Sequence, residues 1–191
     1  MPLTEYTFND ENPVDRIFYG RINIKKASSF LFFTDFGITK SLIHHLKYKG
    51  QEQVGAFLGH WYGQTIKDNG YLHHVDMVIP VPLHRKKLAK RGYNQCSLFA
   101  STLAQHLNCH CREDLLIKTA NTRTQTKRGR LARWLDNRSL YELTDTQALR
   151  GKTILLVDDV ITTGATIEIC ANTFKDIEGL TLYVASMAVV P

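Results

Sequence analysis

The chain has 191 residues, 43% hydrophobic and 22% charged, with 24 lysines and arginines against 18 acidic side chains. That suffices for one ordinary globular domain with a small appendage and excludes disorder as the default for the chain. No apolar run approaches the ~20 residues that cross a bilayer, and Glu5, Asp10 and Glu11 exclude a basic-then-apolar secretory head, so no membrane insertion and a cytoplasmic location are expected.

Residues 1–27 read as an irregular arm with Pro2 and Pro13, and 28–33 as a short strand. Leu42, Ile43 and Leu46 then recur at helical spacing from residue 39, with Thr39 or Ser41 as the cap and Gly50 as the stop. A second helix is predicted over 52–66 through Val54, Phe57, Leu58 and Trp61, closed by Asp68, Asn69 and Gly70. The short apolar run 75–81 reads as a strand buried on both faces. A basic loop follows, then a helix over 94–107, a strand at 115–118, a long mobile loop leading into a short helix, a buried strand at 153–157, a helix over 165–177 and a last strand over 180–190. Strands alternating with helices predict an α/β fold, a parallel sheet flanked by helices on both faces. The appendage is 1–37, an arm with a short strand, and the main domain is 38–191. Ligands of such sheets bind outside the carboxyl ends of the strands, where both basic loops should converge.

Charge is concentrated in two places. Residues 85–91 hold five basic side chains and no acid, and residues 118–138 hold seven basic side chains against Asp136 alone. Two basic segments on an otherwise acidic body suggest a site for a polyanion, although solvated faces would also look this way. Cys96, Cys109, Cys111 and Cys170 include no C-x-x-C pair. If Cys109, His110 and Cys111 lie on a strand, His110 points away from both thiols, so no zinc is expected there. The pairs His44-His45 and His73-His74 lack a second ligand pair at helical spacing and read as surface or boundary residues.

Chemistry resides in residues 154–166, Ile-Leu-Leu-Val-Asp-Asp-Val-Ile-Thr-Thr-Gly-Ala-Thr. A central strand would end in two carboxylates, Asp158 and Asp159, able to accept hydrogen bonds from a diol such as that of ribose. Thr162, Thr163, Gly164, Ala165 and Thr166 would present backbone N–H groups and hydroxyls at a helix N-terminus, a ready site for a phosphate dianion, with Gly164 permitting close approach. Carboxylates so near a phosphate call for an intervening cation, so Mg2+ is expected with a polyphosphate ligand, with Asp158 and Asp159 as candidate contacts.

This string resembles the signature for 5-phosphoribosyl-1-pyrophosphate (PRPP) of type I phosphoribosyltransferases. The resemblance implies that Asp158 and Asp159 bind the ribose hydroxyls and 162–166 the 5-phosphate. It further implies that the loop after the first core strand, with Pro82, Leu83, His84, Arg85 and Lys86, holds pyrophosphate. A flexible loop over about 119–134, including Arg123, Thr124, Gln125, Lys127 and Arg128, would close over the site. Further strings narrow the likeness: Pro80-Val81-Pro82-Leu83-His84, Arg91-Gly92-Tyr93-Asn94-Gln95, Thr122-x-x-Gln125, Arg133-x-x-Asp136-Asn137 and Leu42-Ile43-x-x-Leu46-Lys47-Tyr48-Lys49-Gly50 are similar to the ComF family. Membership implies a link to DNA uptake in natural transformation, with single-stranded DNA and uptake proteins such as a competence helicase as partners. Family members commonly begin with a four-cysteine zinc module; no cysteine precedes Cys96, so zinc is not expected in this chain.

Two functions follow. The first is Mg2+-dependent transfer of a phosphoribosyl group with release of pyrophosphate, the leaving group stabilised by Arg85, Lys86 and a cation of the 118–134 segment. The second is a non-catalytic PRPP-binding protein whose basic surface holds single-stranded DNA, with Tyr93, Trp134 and Tyr141 able to stack on bases. Hypoxanthine–guanine enzymes carry an acid where Thr162 stands, and a threonine cannot serve as that base at neutral pH, so purine salvage of that type is disfavoured. No residue pattern marks a catalytic base. A receiver domain also carries Leu-Val-Asp-Asp, but the chain after Asp159 is too short for the rest of that fold.

Overall fold

A computed structural model describes residues 1–69, 72, 74–119 and 140–191. In chain order its elements are α1 (Pro13–Phe18), β1 (Lys26–Phe32), α2 (Ile38–Tyr48), α3 (Gln53–Asn69), β2 (Met77–Pro80), α4 (Arg85–Arg91), α5 (Ser97–His106), β3 (His110–Cys111), β4 (Leu116–Lys118), β5 (Tyr141–Leu143), β6 (Thr153–Ile161), α6 (Ala165–Phe174) and β7 (Thr181–Val189). The expected architecture is present. Five parallel strands run in the order β1-β7-β6-β2-β3, and the apolar run Ile154–Val157 lies at the buried centre. One face packs against α1, α6 and the β4–β5 pair through Phe18, Phe174 and Tyr141. The other packs against α2, α3 and α5 through Leu46, Leu58 and Phe99.

The α3–α5 contact depends on missing side chains. A Cβ at Gly59 would stand 2.9 Å from Thr102 Cβ, and one at Gly63 would stand 2.6 Å from the His106 ring. Glycine at these positions lets the two helices approach more closely than any side chain would allow, and Leu103 and Leu58 fill the seam.

Several elements differ from expectation. The arm contains α1, opened by a capping box in which Asn12 accepts from the N–H groups of Val14 and Asp15 while Asp15 accepts from that of Asn12. The sequence Asn12-Pro13-Val14-Asp15 carries that signal. β1 joins the main sheet, pairing with β7. Helix α2 begins at Gly37 without a side-chain cap, and Thr39 is buried inside it. The basic loop at 85–91 is the helix α4, which no periodicity revealed because it buries none of its residues. Its ends are closed by His84 Nδ1, which accepts from Lys86 N (3.2 Å), and by Gly92, whose N–H donates to the Leu88 carbonyl (2.7 Å). The strand predicted at 115–118 lies outside the main sheet, antiparallel to β5, and the sheet edge is taken instead by β3. β6 runs through the two aspartates to Ile161 instead of ending before them, and α6 stops at Phe174. The long loop of the sequence reading, with Arg123, Thr124, Gln125, Lys127, Arg128 and Trp134, falls outside the described residues apart from its first positions.

Candidate functional site

Because β6 continues through Asp158 and Asp159, alternation sends their side chains to opposite faces of the sheet. Both are nearly buried, at 7% and 5% exposure. Asp159 turns toward α2 and α5. Its Oδ1 receives Lys47 Nζ at 2.7 Å and its Oδ2 receives Gln95 Nε2 at 2.6 Å. Gln95 in turn accepts from Arg91, whose guanidinium lies 5.7 Å from the centre of the Tyr48 ring, and the Tyr93 hydroxyl donates to the Leu46 carbonyl. Residues 46–48 and 91–95 therefore form one hydrogen-bonded cradle around the second carboxylate. Sequence reasoning quoted these segments only as motif strings and assigned Lys47, Arg91 and Gln95 no role.

Asp158 occupies the other face. Its Oδ1 accepts the backbone N–H of Asp159 (2.8 Å) and faces the Cys96 thiol at 3.8 Å. Burial first, and then the neighbouring Asp159 charge, push its carboxyl up to about 7. The same burial and the two carboxylates drive the Cys96 thiol well above its usual range, which leaves it protonated and unreactive. Beneath Asp158, Lys118 Nζ donates to the Tyr141 hydroxyl at 2.8 Å, and burial draws the Lys118 ammonium below its ordinary value. A lysine thus attends each carboxylate: Lys47 by direct contact, and Lys118 through its field.

The turn after β6 holds the predicted phosphate residues. Thr162, Thr163, Ala165 and Thr166 are exposed, while Gly164 is buried at φ +75° as the N-cap of α6. A Cβ there would meet Ile17 and Phe18 at 2.7 Å, so the space gained by glycine is filled by α1. Arg21 braces the turn from outside. Its Nη1 donates to the carbonyls of Thr163 (2.8 Å) and Ile17 (2.9 Å), and its Nε donates to Glu168 Oε2 at 3.1 Å. The Ala165 N–H turns back to Thr163 Oγ1 (3.4 Å), and the first turn of α6 presents the remaining N–H groups that a helix start leaves without intrahelical partners. No sequence signal marks Arg21.

Next to this turn, the ladder between β2 and β6 extends to Val81, whose N–H donates to the Val157 carbonyl at 2.8 Å. Asn94 Nδ2 holds the Val81 carbonyl at 3.1 Å. Pro82, Leu83 and His84 follow, half-buried, and Arg85 and Lys86 are exposed at the start of α4. The carboxylates, the phosphate turn and the basic helix therefore share the carboxyl edge of the sheet. The cation that touches Asp159 is Lys47, from a helix outside both basic segments.

One oxygen from each aspartate and Cys96 Sγ lie within 4.8 Å of one another. A thiol is a poor ligand for magnesium and an ammonium already sits on Asp159, so this cluster is no all-protein magnesium cage. The carboxylates fit a magnesium ion that arrives on phosphate oxygens and retains waters.

The phosphoribosyl transferase domain profile matches residues 93–184. The DNA utilization protein YhgH of Escherichia coli O157:H7 is 27% identical over 129 residues, 66% of this chain and 56% of that protein. Competence protein F of Haemophilus influenzae is 27% identical over 130 residues, with 66% and 57% covered. Competence protein ComFC of Bacillus subtilis is 28% identical over 134 residues, with 70% and 52% covered. The chain spans about half the length of the curated relatives it matches. A solved glutamine phosphoribosylpyrophosphate amidotransferase from B. subtilis, complexed with ADP and GMP, superposes with a TM-score of 0.50 at 18% identity, covering 70% of this chain and 26% of that one. That likeness concerns the fold.

Proposed function

Because this chain belongs to the ComF family of type I phosphoribosyltransferase-fold proteins, we propose that it binds PRPP with Mg2+ at the carboxyl edge of its sheet and transfers the phosphoribosyl group to an acceptor. The observation that carries this reading is the buried pair Asp158 and Asp159 at the end of β6, one turn away from exposed amides and hydroxyls at the start of α6.

In this reading the ribose 5-phosphate rests on the turn formed by Thr162, Thr163, Gly164, Ala165 and Thr166, braced by Arg21. Asp158 accepts from a ribose hydroxyl, while Lys47 and Gln95 hold the Asp159 carboxylate in place beside it. Pro82, Leu83 and His84 line the diphosphate, and Arg85 and Lys86 neutralise it as the bond from the anomeric carbon breaks. Magnesium, when bound with PRPP, supplies further charge neutralisation at the departing pyrophosphate. Catalysis is then mostly positioning and charge stabilisation, and the acceptor takes the vacated position on the anomeric carbon.

Calorimetry of PRPP with and without Mg2+ tests the site. Micromolar binding that requires Mg2+ and weakens more than about tenfold in Asp158→Asn/Asp159→Asn is expected. Unchanged affinity in the double variant rejects the assignment. Release of pyrophosphate on screening bases, amines and ammonia against PRPP separates transfer from binding alone. The second reading, a PRPP-binding accessory of DNA uptake that holds single-stranded DNA, is favoured by α4, whose five basic side chains all lie on a helix with no buried face.

A further inference from the structure

At the end of α5 remote from Gln95 and Cys96, two histidines from different helices face each other across the α3–α5 seam. His60 Nδ1 and His106 Nε2 stand 3.2 Å apart, with their ring planes at 80°. We propose that this pair is a binding site for a first-row divalent transition metal ion such as Ni2+ or Zn2+, held by both imidazoles with water in its remaining positions. The site shares no residue with the PRPP site and does not depend on that assignment.

Spacing comes first. Zinc–imidazole bonds of roughly 2.0–2.1 Å at the tetrahedral angle place two ligand nitrogens about 3.3 Å apart. The two nitrogens already stand near that separation, so an ion is held without movement of either helix. In the free protein one ring donates the bridging proton and the other accepts it. The outer nitrogens, His60 Nε2 and His106 Nδ1, have no partner among the described residues. The donor ring can therefore carry its proton on its outer nitrogen instead, which turns both inward lone pairs to one ion.

The two ligands differ in freedom. His106 packs on Gly63, where an added Cβ would lie 2.6 Å from the ring, and Gly63 is one turn from His60 on the same face of α3. His106 is thus fixed by the seam, whereas the exposed His60 ring can turn to complete the coordination. Besides His60, the groups whose charges act on His106 are Lys67 and Asp68, which have opposite signs, so a dication meets little net repulsion. Burial draws the His106 imidazolium below its ordinary value, and the ring is a neutral ligand at neutral pH. Imidazole suits zinc, nickel and copper, while magnesium demands oxygen ligands, so this site and the carboxylate edge take different ions. The expectation of no zinc in this chain rests on its cysteines, and this ligand set contains none.

Calorimetry with Ni2+ and with Zn2+ at neutral pH, in the absence of PRPP, tests the site. One equivalent of Ni2+ is expected to bind with a micromolar Kd that excess Mg2+ leaves unchanged. His60→Ala and His106→Ala should each weaken it more than about tenfold. His60→Ala alters an exposed position and keeps the fold, so it carries the test if His106→Ala loses stability. In proton NMR spectra, paramagnetic Ni2+ should broaden the imidazole resonances of His60 and His106 ahead of those of the other histidines. Absence of binding at millimolar metal overturns the proposal, as does an affinity that His60→Ala leaves unchanged. A loss confined to one of two folded variants marks binding by a single imidazole and overturns it too. So does an affinity that falls only in Asp158→Asn/Asp159→Asn, which puts the ion on the carboxylate edge.

Discussion

Asp158 and Asp159 are neighbours in the chain, yet strand alternation gives them separate surroundings and separate consequences. Folded Asp158 keeps its proton up to about pH 7, whereas an aspartate in the unfolded chain releases it near pH ~3.9. Between those values the folded state binds the extra proton, so stability falls as the pH rises through that window and levels off above it. Urea denaturation from about pH 4 to about pH 8 reads this slope, and Asp158→Asn flattens it. Ligand hydroxyls favour the ionised carboxylate, so PRPP affinity should rise as the pH approaches 7. Asp159 depends instead on Lys47, which is itself only 22% exposed in its side chain. Lys47→Met strands a buried carboxylate and should cost about 2–3 kcal/mol, discounted from a fully buried pair for the partial exposure of the lysine. In Lys47→Met/Asp159→Leu much of that loss returns, because no unpaired charge remains. A double variant as unstable as the single one would show that Lys47 acts through packing alone.

At the scale of elements, the phosphate turn is shaped as much by α1 as by its own sequence. Gly164 both adopts a left-handed φ and makes room for Ile17 and Phe18. Gly164→Ala combines backbone strain with overpacking and should destabilise the fold by about 2 kcal/mol or more. Adding Ile17→Ala relieves only the contact with Ile17, since Phe18 and φ are unchanged. Equal melting temperatures for Gly164→Ala and the parent chain would contradict this account. Local signals explain which elements were readable. β6 and α6 appear in the sequence as an apolar run followed by small residues and a helical period, and both form nearly where they are read. Helix α4 has no apolar stripe because it buries none of its residues, so its helical propensity and its Gly92 cap were the only traces. β4 reads correctly as a strand, but which strand it pairs with depends on β5, a separate segment of chain.

For the molecule as a whole, the parallel sheet gathers the carboxylates, the phosphate turn and α4 on one edge. If that edge takes single-stranded DNA, its affinity should fall steeply with salt, by a log–log slope of about 0.7 for each phosphate contacted. Charge reversal of Lys86, Lys87 and Lys90 should make that slope shallower while leaving the melting temperature unchanged, because α4 buries no residue. A salt-independent affinity removes DNA from this surface. None of the helices among the described residues is long and apolar enough to cross a membrane.

Periodicity, turn residues and the aspartate-rich string act over a few positions, so the sequence by itself determined the α/β class, the order of the main elements and the strand-to-helix turn that carries the candidate site. Contacts between distant segments required the folded chain. Lys47 and Asp159 are 112 residues apart in sequence and 2.7 Å apart in space, and Arg21 reaches Thr163 across 142 residues.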